Sequence, residues 1–204
     1  ELNVAEAFTR IAGASVGGPI IRDRMFFFVS VEQEDASNPG DQRMASTSGL
    51  QPDGVTVSRV KEEHVSYVRE QMQSIYGYET GPWQGYDFGN EALRLNFRVD
   101  LNINPNHRLA VRLNHYEAFR DVSINGNSIR GNMPRYGNTN RFGIEALTFR
   151  NANYSIDNNV TSFVAELNSV LGNRFANNLN IGYTAIEDPK RSVPGGQTFP
   201  FIEV

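Results

Sequence analysis

Cysteine is absent from the 204 residues, and lysine occurs only at Lys61 and Lys190. Without cysteine the chain has no disulfide framework, no thiolate metal site and no cysteine nucleophile. The net charge of -4 gives no general attraction to phosphate groups, so the composition offers no support for nucleic acid as a partner. Long apolar runs are also missing, because no window approaches the roughly 18 apolar residues that a membrane-spanning helix needs. If this chain crosses a membrane, it must cross as β-strands.

An alternating pattern is clearest between residues 92 and 103. Every second residue from Leu93 to Ile103 is apolar, and the residues between them are polar or charged. This period of two predicts a β-strand with one apolar face and one polar face. Residues 104–107 have the composition of a tight turn, and a second alternating run from Leu109 to Asn114 follows, which together predict a β-hairpin.

Two further hairpins are predicted. The first has a strand near residues 12–17, a turn over 19–24 and a strand over 25–32. The second has strands over 163–171 and 179–185, joined by a turn at 172–177. The connections between the hairpins are long, over 33–90 and 120–159. Short turns on one side and long loops on the other are typical of transmembrane barrels, whereas compact soluble domains seldom carry loops of that length.

The first long connection contains one predicted helix, over residues 55–76, with Val57, Val60, His64, Val68, Met72 and Ile75 along one side. Residues 35–54 are rich in serine, asparagine and glycine, and we expect this stretch to be mobile. The fold class predicted from these patterns is all-β. More specifically, it is a partial antiparallel transmembrane β-barrel of about six strands in three hairpins, with one helix in a long extracellular loop.

Motifs for catalysis are weak. The run Gly13 to Gly17 matches the glycine-x-serine-x-glycine pattern of a nucleophile elbow, but a strand follows where that elbow needs a helix. The three histidines lack the spacing of a metal site. We therefore expect no enzyme activity, no cofactor and no metal, and no catalytic residue.

Two groups of residues are candidates for ligand contact. The first is an aromatic cluster, which could hold a ligand, form a girdle at the membrane edge or pack within the loop: Tyr76, Tyr78, Trp83, Tyr86 and Phe88. The second is a set of polar residues expected to face the lumen of a barrel: Arg94, Asn96, Arg98, Asp100, Arg112, Glu166 and Asn168.

The most specific motif is the run from Gly13 through Gly17-Gly18-Pro19 to the three phenylalanines at 26–28. It resembles the first barrel hairpin of the Oar-like TonB-dependent receptors. Three later runs are similar to that family in the same order, and the likeness extends to about residue 203: Tyr76-Gly77-Tyr78, residues 100–109, and residues 165–184.

The resemblance implies the outer membrane of a Gram-negative bacterium, with membrane lipid, the TonB complex and an unknown substrate as partners. It also implies that residues 1–204 are a fragment of the barrel domain, without the plug domain and the remaining strands, because such a barrel has about 22 strands and six cannot close one. Residues 1–4 lack the features of an export signal, so we expect the chain to begin downstream of one. Contact with TonB would then lie in the missing N-terminal part.

Other functions fit the same patterns. Within the membrane class, the alternatives are a passive porin and an adhesin barrel. A soluble secreted β-sandwich that binds carbohydrate is the alternative from another class, because an antiparallel sheet with one face in water shows the same alternation. The sequence does not distinguish import from export.

Overall fold

The computed structural model describes residues 7–40, 42–124 and 145–192, and long antiparallel strands dominate it. The strands are β1 (Phe8–Ile21), β2 (Met25–Pro39), β3 (Met44–Ser46), β4 (Val57–Lys61), β5 (Asp87–Asn104), β6 (His107–Val122), β7 (Tyr154–Leu171), β8 (Phe175–Glu187) and β9 (Lys190–Ser192). One α-helix, α1, spans Glu62–Tyr76, and a 3-10 turn spans Arg150–Ala152. The all-β, antiparallel fold class is therefore confirmed.

The main sheet follows the order β1-β2-β5-β6-β7-β8, and every neighbouring pair is antiparallel. β9 pairs with the start of β7, beside the end of β8. Among the described residues, β1 and β8 each have a neighbour on one side only, so the sheet is open at both edges. The three predicted hairpins are confirmed as β1-β2, β5-β6 and β7-β8.

The strands are longer than predicted, and the long connections are correspondingly shorter. β2 continues to Pro39 and β5 begins at Asp87, so the predicted connection 33–90 was too long at both ends. The same correction applies to 120–159, where β6 ends at Val122 and β7 begins at Tyr154. Most of that connection, and the likeness after residue 192, lie outside the described residues, as do residues 1–4.

The predicted helix started too early. Residues 57–61 form β4, which pairs in parallel with β3, and α1 begins only at Glu62. α1 ends as predicted, because Gly77 takes the left-handed conformation and its N–H bonds to the Gln73 carbonyl. The predicted apolar side was wrong in part. Met72 is buried as predicted, but His64 and Ile75 are exposed, and Val65 is the other buried helical residue.

The prediction of a mobile stretch over 35–54 was wrong at its start and middle. Residues 35–39 belong to β2, where Ala36 is buried, and Ala45 and Ser46 are buried in β3. Only residues 47–55 are exposed without interruption. No helix in the described ranges combines the length and the apolar character that a membrane crossing requires.

Candidate functional site

The strand register divides the main sheet into an apolar face and a polar face. Residues that pair across antiparallel strands point to the same side, so each chain of partners forms one row across the sheet. The partners of Phe97 form an apolar row over all six strands: Val16, Val29, Phe97, Leu113, Phe163 and Tyr183. Two further rows, through Val99 and through Leu101, lie nearer the turns and are also apolar. One row nearer the loops, through Leu95, is apolar except for His115 and Thr161. We call these four rows the belt.

The belt has polar borders at both ends. The next row toward the long connections contains Gln33, Glu117, Asn159 and Glu187, and the next toward the turns contains His107, Ser169 and Asn177. Within the described residues nothing covers the belt: Phe97 is 43% exposed, Phe163 40% and Tyr183 70%. A band of bulky apolar side chains therefore lies open between two polar margins.

The opposite side is the polar face, and all seven residues predicted to face a lumen lie on it. Arg94, Asn96, Arg98 and Asp100 alternate with the belt residues of β5. Arg112 is the register partner of Arg98, and Glu166 and Asn168 follow on β7 through their β6 partners Ala110 and Arg108. The seven residues therefore share one face of the sheet, and the lumen that this face would line stays a prediction.

One ion cluster on the polar face is centred on Arg94. Its guanidinium donates to Glu32 at 2.7 Å and to Glu34 at 2.9 Å, and it lies 5.4 Å from the ring centroid of Tyr116. The two carboxylates lie on β2 and the ring lies on β6, so Arg94 links three adjacent strands. Its charge is satisfied within the protein.

A second ion cluster lies nearer the turns. Arg98 donates to both carboxylate oxygens of Asp100, at 2.7 and 2.8 Å, and Arg108 approaches the same carboxylate at 3.4 Å. Arg112 lies 3.7 Å from Glu166, which also accepts hydrogen bonds from the amides of Asn168 and Asn178. Arg98, Arg108 and Arg112 are therefore held by carboxylates of the same face.

Between the two clusters runs a row of short, uncharged polar residues. The pairing Ser15↔Ser30↔Asn96↔Asn114↔Ser162↔Thr184 crosses all six strands. The Asn96 amide donates to the Ser30 hydroxyl at 3.1 Å, and the Asn114 amide donates to the Ser162 hydroxyl at 3.2 Å. Sequence analysis identified Asn96 but missed the rest of this row, because the row exists only once the register of six strands is known.

Apolar residues change sides at the loop end of the sheet. Ala36, Ala92 and Ala118 lie on the polar face and are buried there, together with Tyr86 and Ile124. On the side that carries the belt, this part of the sheet presents charged residues such as Asp35 and Glu91. The buried alanines at the strand ends therefore lie on the polar-face side, whereas the buried Asp157 lies on the belt side.

The two long connections pack together at this end, and we call residues 42–86 with 145–153 the cap. Their contact is a set of backbone hydrogen bonds, from Arg150 N to the Pro82 carbonyl at 2.8 Å and from Asn151 N to the Thr80 carbonyl at 3.1 Å. Trp83 adds an edge contact with Phe149 and lies beneath the Arg69 guanidinium. The connections predicted as separate loops thus form one packed unit.

The five predicted aromatic residues do not form one platform. Tyr86 and Phe88 are in edge contact at the loop end of the polar face, with a centroid distance of 5.7 Å. Tyr78 is separate, with its hydroxyl donating to the Asn151 carbonyl, and partial burial raises its pKa. Trp83 packs against Phe149, and Tyr76 is exposed on α1.

Ser15, in the motif considered for catalysis, and Asp53, in the cap, both have structural roles. Ser15 lies inside β1 opposite Ser30, as a strand residue. Asp53 accepts hydrogen bonds from the Thr56 hydroxyl and from the N–H groups of Val55, Thr56 and Val57, which hold the pKa of its carboxyl well below the usual range. The described residues contain no group of three or more acidic or histidine side chains arranged to hold a metal ion.

No family model, no curated protein and no solved structure matches the chain.

Proposed function

We propose that this chain is part of a transmembrane β-barrel in the outer membrane of a Gram-negative bacterium, and that the barrel belongs to an Oar-like TonB-dependent transporter. The exposed belt is the observation that supports a position in a membrane. Exposed apolar side chains in register across six strands, opposite a charged face, are what lipid on one side and an aqueous lumen on the other require.

The spacing of the two polar borders supports the same proposal. On β5 the borders lie ten residues apart, from the row of Leu93 to Ile103 beside the turn, which is about 33 Å along a strand. A strand tilt of about 40° reduces this to about 25 Å, the height of the apolar band on outer-membrane barrels. The polar borders then fall at the levels where lipid headgroups begin.

The edges of the sheet support a larger barrel. Soluble sheets protect their edge strands with lysine, proline, bulges or short length. β1 has 14 residues and β8 has 13, and each carries a single charged residue, Arg10 on β1 and Glu187 on β8. The proline and the bulge of β1 lie only at its turn end, at Pro19 to Ile21. Such edges suit strands that pair with further strands, which a closed barrel provides.

The soluble sandwich is less well supported by the geometry. A sandwich packs the apolar face of one sheet against a second sheet. In the described residues the side chains of the belt remain exposed, so the cap does not provide that second layer. The assignment to TonB-dependent receptors rests on the resemblance of residues 13–28 and of the later runs.

Membrane fractionation tests the barrel. The full-length protein that contains this chain, expressed in a Gram-negative host, should sediment with outer membranes, resist extraction by urea and need detergent to stay dispersed. A monodisperse protein in the soluble periplasmic fraction would contradict the proposal.

Permeability tests the choice between a transporter and a passive porin. Cells with a periplasmic β-lactamase hydrolyse nitrocefin faster when an open pore is present. We expect no increase when the full-length protein is expressed, because a transporter of this family is closed by its plug at rest. Faster hydrolysis that persists with a protonophore would identify a passive porin.

A further inference from the structure

The belt, whose four rows all lie within the described residues, contains one polar pair, His115 on β6 and Thr161 on β7. We propose that this pair binds a hydroxylated acyl chain of an outer-leaflet lipid, of the kind that lipid A carries. The two residues are register partners in the row through Leu95. The inference rests on the proposed function in one respect, namely that the belt faces lipid with the loop end of the sheet outward.

The pair needs hydrogen-bond partners that plain hydrocarbon does not supply. His115 Nδ1 lies 2.9 Å from the hydroxyl oxygen of Thr161, so one ring nitrogen is bonded within the pair. The other ring nitrogen, Nε2, lies 3.9 Å from the Glu117 carboxylate, which is too far for a hydrogen bond. Thr161 is exposed and the His115 side chain is 37% exposed, so both are open to a lipid. Polar side chains within a membrane-facing surface mark a site for a polar partner.

The depth of the pair matches the first carbons of an acyl chain. The row through Leu95 lies two residues inside the polar border at the row of Leu93. That distance is about 7 Å along the strand and about 5 Å along the membrane normal at a tilt of about 40°. Headgroups end near the border, so an acyl chain with a hydroxyl on its third carbon presents that hydroxyl near this level. An unsubstituted acyl chain has no polar group there.

The surface beside Thr161 leaves room for such a chain. The other register partner of Thr161 is Ala185 on β8, so no bulky side chain lies opposite the hydroxyl on that side. The next row toward the membrane middle contains Phe163 and Tyr183, which are 40% and 70% exposed. A chain whose hydroxyl lies at Thr161 therefore continues against two aromatic rings, which supply apolar contact area.

The charges nearby favour a hydroxyl over a phosphate as the bound group. The border row above the pair carries the carboxylates of Glu117 and Glu187, and none of its six residues is arginine or lysine. Two carboxylates repel a phosphate, whereas a hydroxyl is neutral and can both donate to and accept from the pair. Lipid A carries its phosphates on sugar rings and its hydroxyls on acyl chains, so binding through a hydroxyl requires no phosphate beside these carboxylates.

Lipid retention tests the pair. The full-length protein is held in detergent micelles with equal amounts of two phosphatidylcholines, one with myristoyl chains and one with myristoyl chains hydroxylated on the third carbon. Native mass spectrometry then gives the ratio of the two lipids in the adduct that survives the highest collision energy. We expect about a fivefold excess of the hydroxylated lipid, the preference that one hydrogen bond gives.

Matched variants assign this preference to the pair. Thr161→Val removes the hydroxyl at the same shape and should abolish the preference, whereas Thr161→Ser should keep it. Thr184→Val makes the same change on the polar face and should also keep it. Valine is compatible with hydrocarbon, so Thr161→Val should melt no earlier than the parent in detergent gels.

Competition identifies the source of the hydroxyl. Lipid A added to the micelles should displace the hydroxylated phosphatidylcholine, and phosphatidylglycerol should not. Equal retention of the two phosphatidylcholines by a folded protein, a preference that survives in Thr161→Val, or no displacement by lipid A overturns the inference and leaves the barrel proposal standing. A protein that stays folded and monodisperse without detergent takes the belt out of lipid and overturns both proposals.

Discussion

Arg98 of β5 and Arg112 of β6 are register partners, so two guanidinium groups face each other across adjacent strands. Like charges in directly opposite positions destabilise a sheet unless counter-charges lie close. Asp100 supplies one through two hydrogen bonds to Arg98, and Glu166 supplies another 3.7 Å from Arg112. The pairing of β5 with β6 therefore depends on carboxylates from β5 and β7.

Asp100→Asn tests this dependence. The variant keeps the shape of the side chain but leaves three arginines of the cluster with Glu166 alone, and we expect a loss of about 1 kcal/mol in the stability of the assembled protein, since the arginines are partly solvent-screened. The measurement is the temperature at which the protein loses its folded mobility in detergent gels. Glu117→Gln, which changes an exposed carboxylate elsewhere on β6, is the matched control and should have no effect. Equal melting of both variants and the parent would show that the cluster contributes nothing.

The two faces of β5 should respond oppositely to a new charge. Phe97→Arg places a charge near the middle of the belt and should reduce assembly by about 2 to 4 kcal/mol, and Leu95→Arg should do the same to a lesser degree because it lies one row nearer the border. Asn96→Arg, between them on the polar face, should assemble normally. The readout is the amount of folded protein in outer membranes. Equal tolerance at the three positions would rule out contact between the belt and lipid.

Gly13 on β1 should be sensitive to any side chain. A Cβ placed there would lie 2.9 Å from the carbonyl oxygen of Val31 on β2, so the two backbones would have to separate. At Gly18 the nearest atom would be 4.0 Å away, on the ring of Phe27. We expect Gly13→Ala to lower stability by about 1 to 3 kcal/mol and Gly18→Ala to be neutral. Detergent-gel melting measures both, and a neutral Gly13→Ala would show that β1 can shift freely at this edge.

Trp83 should stabilise the cap without affecting the stability of the main sheet. Trp83→Ala removes the edge contact with Phe149 and the cation–π contact with Arg69, which together contribute about 1 to 3 kcal/mol to local stability. Hydrogen exchange should then rise at residues 78–83 and 149–151 and stay unchanged in β5 to β7. Tyr67→Ala, an exposed aromatic residue on α1, is the control. Exchange that rises across the whole sheet would contradict an independent cap.

The first long connection should be cut by protease between residues 47 and 55. This stretch is exposed throughout, whereas the strands on both sides have buried residues. On intact cells the protease should reach this stretch, while the turn at 105–106 stays protected until the outer membrane is opened. Deleting 48–52 should leave assembly unchanged, but a deletion over 36–54 should impair it because it removes the end of β2 and all of β3. Cleavage at 105–106 on intact cells would invert the orientation.

The sequence predicts a strand well where its apolar residues all lie on one face, and poorly where they change to the other face. β5 and β6 were predictable over 93–103 and 108–114 because an apolar face alternates there with a face that is polar except at Ala110. The same strands were underpredicted at the loop end, where Ala92 and Ala118 are buried on the other face and the alternation changes phase. When the alternation shifts by one position, the sequence pattern indicates the end of a strand. Only the structure shows that the strand continues and that its apolar residues are buried on the other face.

The cap itself could not be predicted from local patterns. We predicted helix for 57–61 because Val57 and Val60 continue the apolar spacing of α1. These residues form strand β4 instead because they pair with β3, where Met44 lies opposite Val57 and 13 residues earlier in the chain. The contact between 78–83 and 149–151 joins segments about 70 residues apart through backbone atoms, as in Asn151 N to Thr80 O. Backbone hydrogen bonds leave no signature in side-chain composition.

The open edges of the sheet constrain how such a protein can enter a bilayer. β1 and β8 each present a full row of backbone N–H and C=O groups, and in hydrocarbon each group without a partner costs several kcal/mol. In water the same rows are templates for pairing with other chains. If the chain is part of the proposed barrel, both edges therefore have to find partner strands while the sheet enters the lipid, and not afterwards.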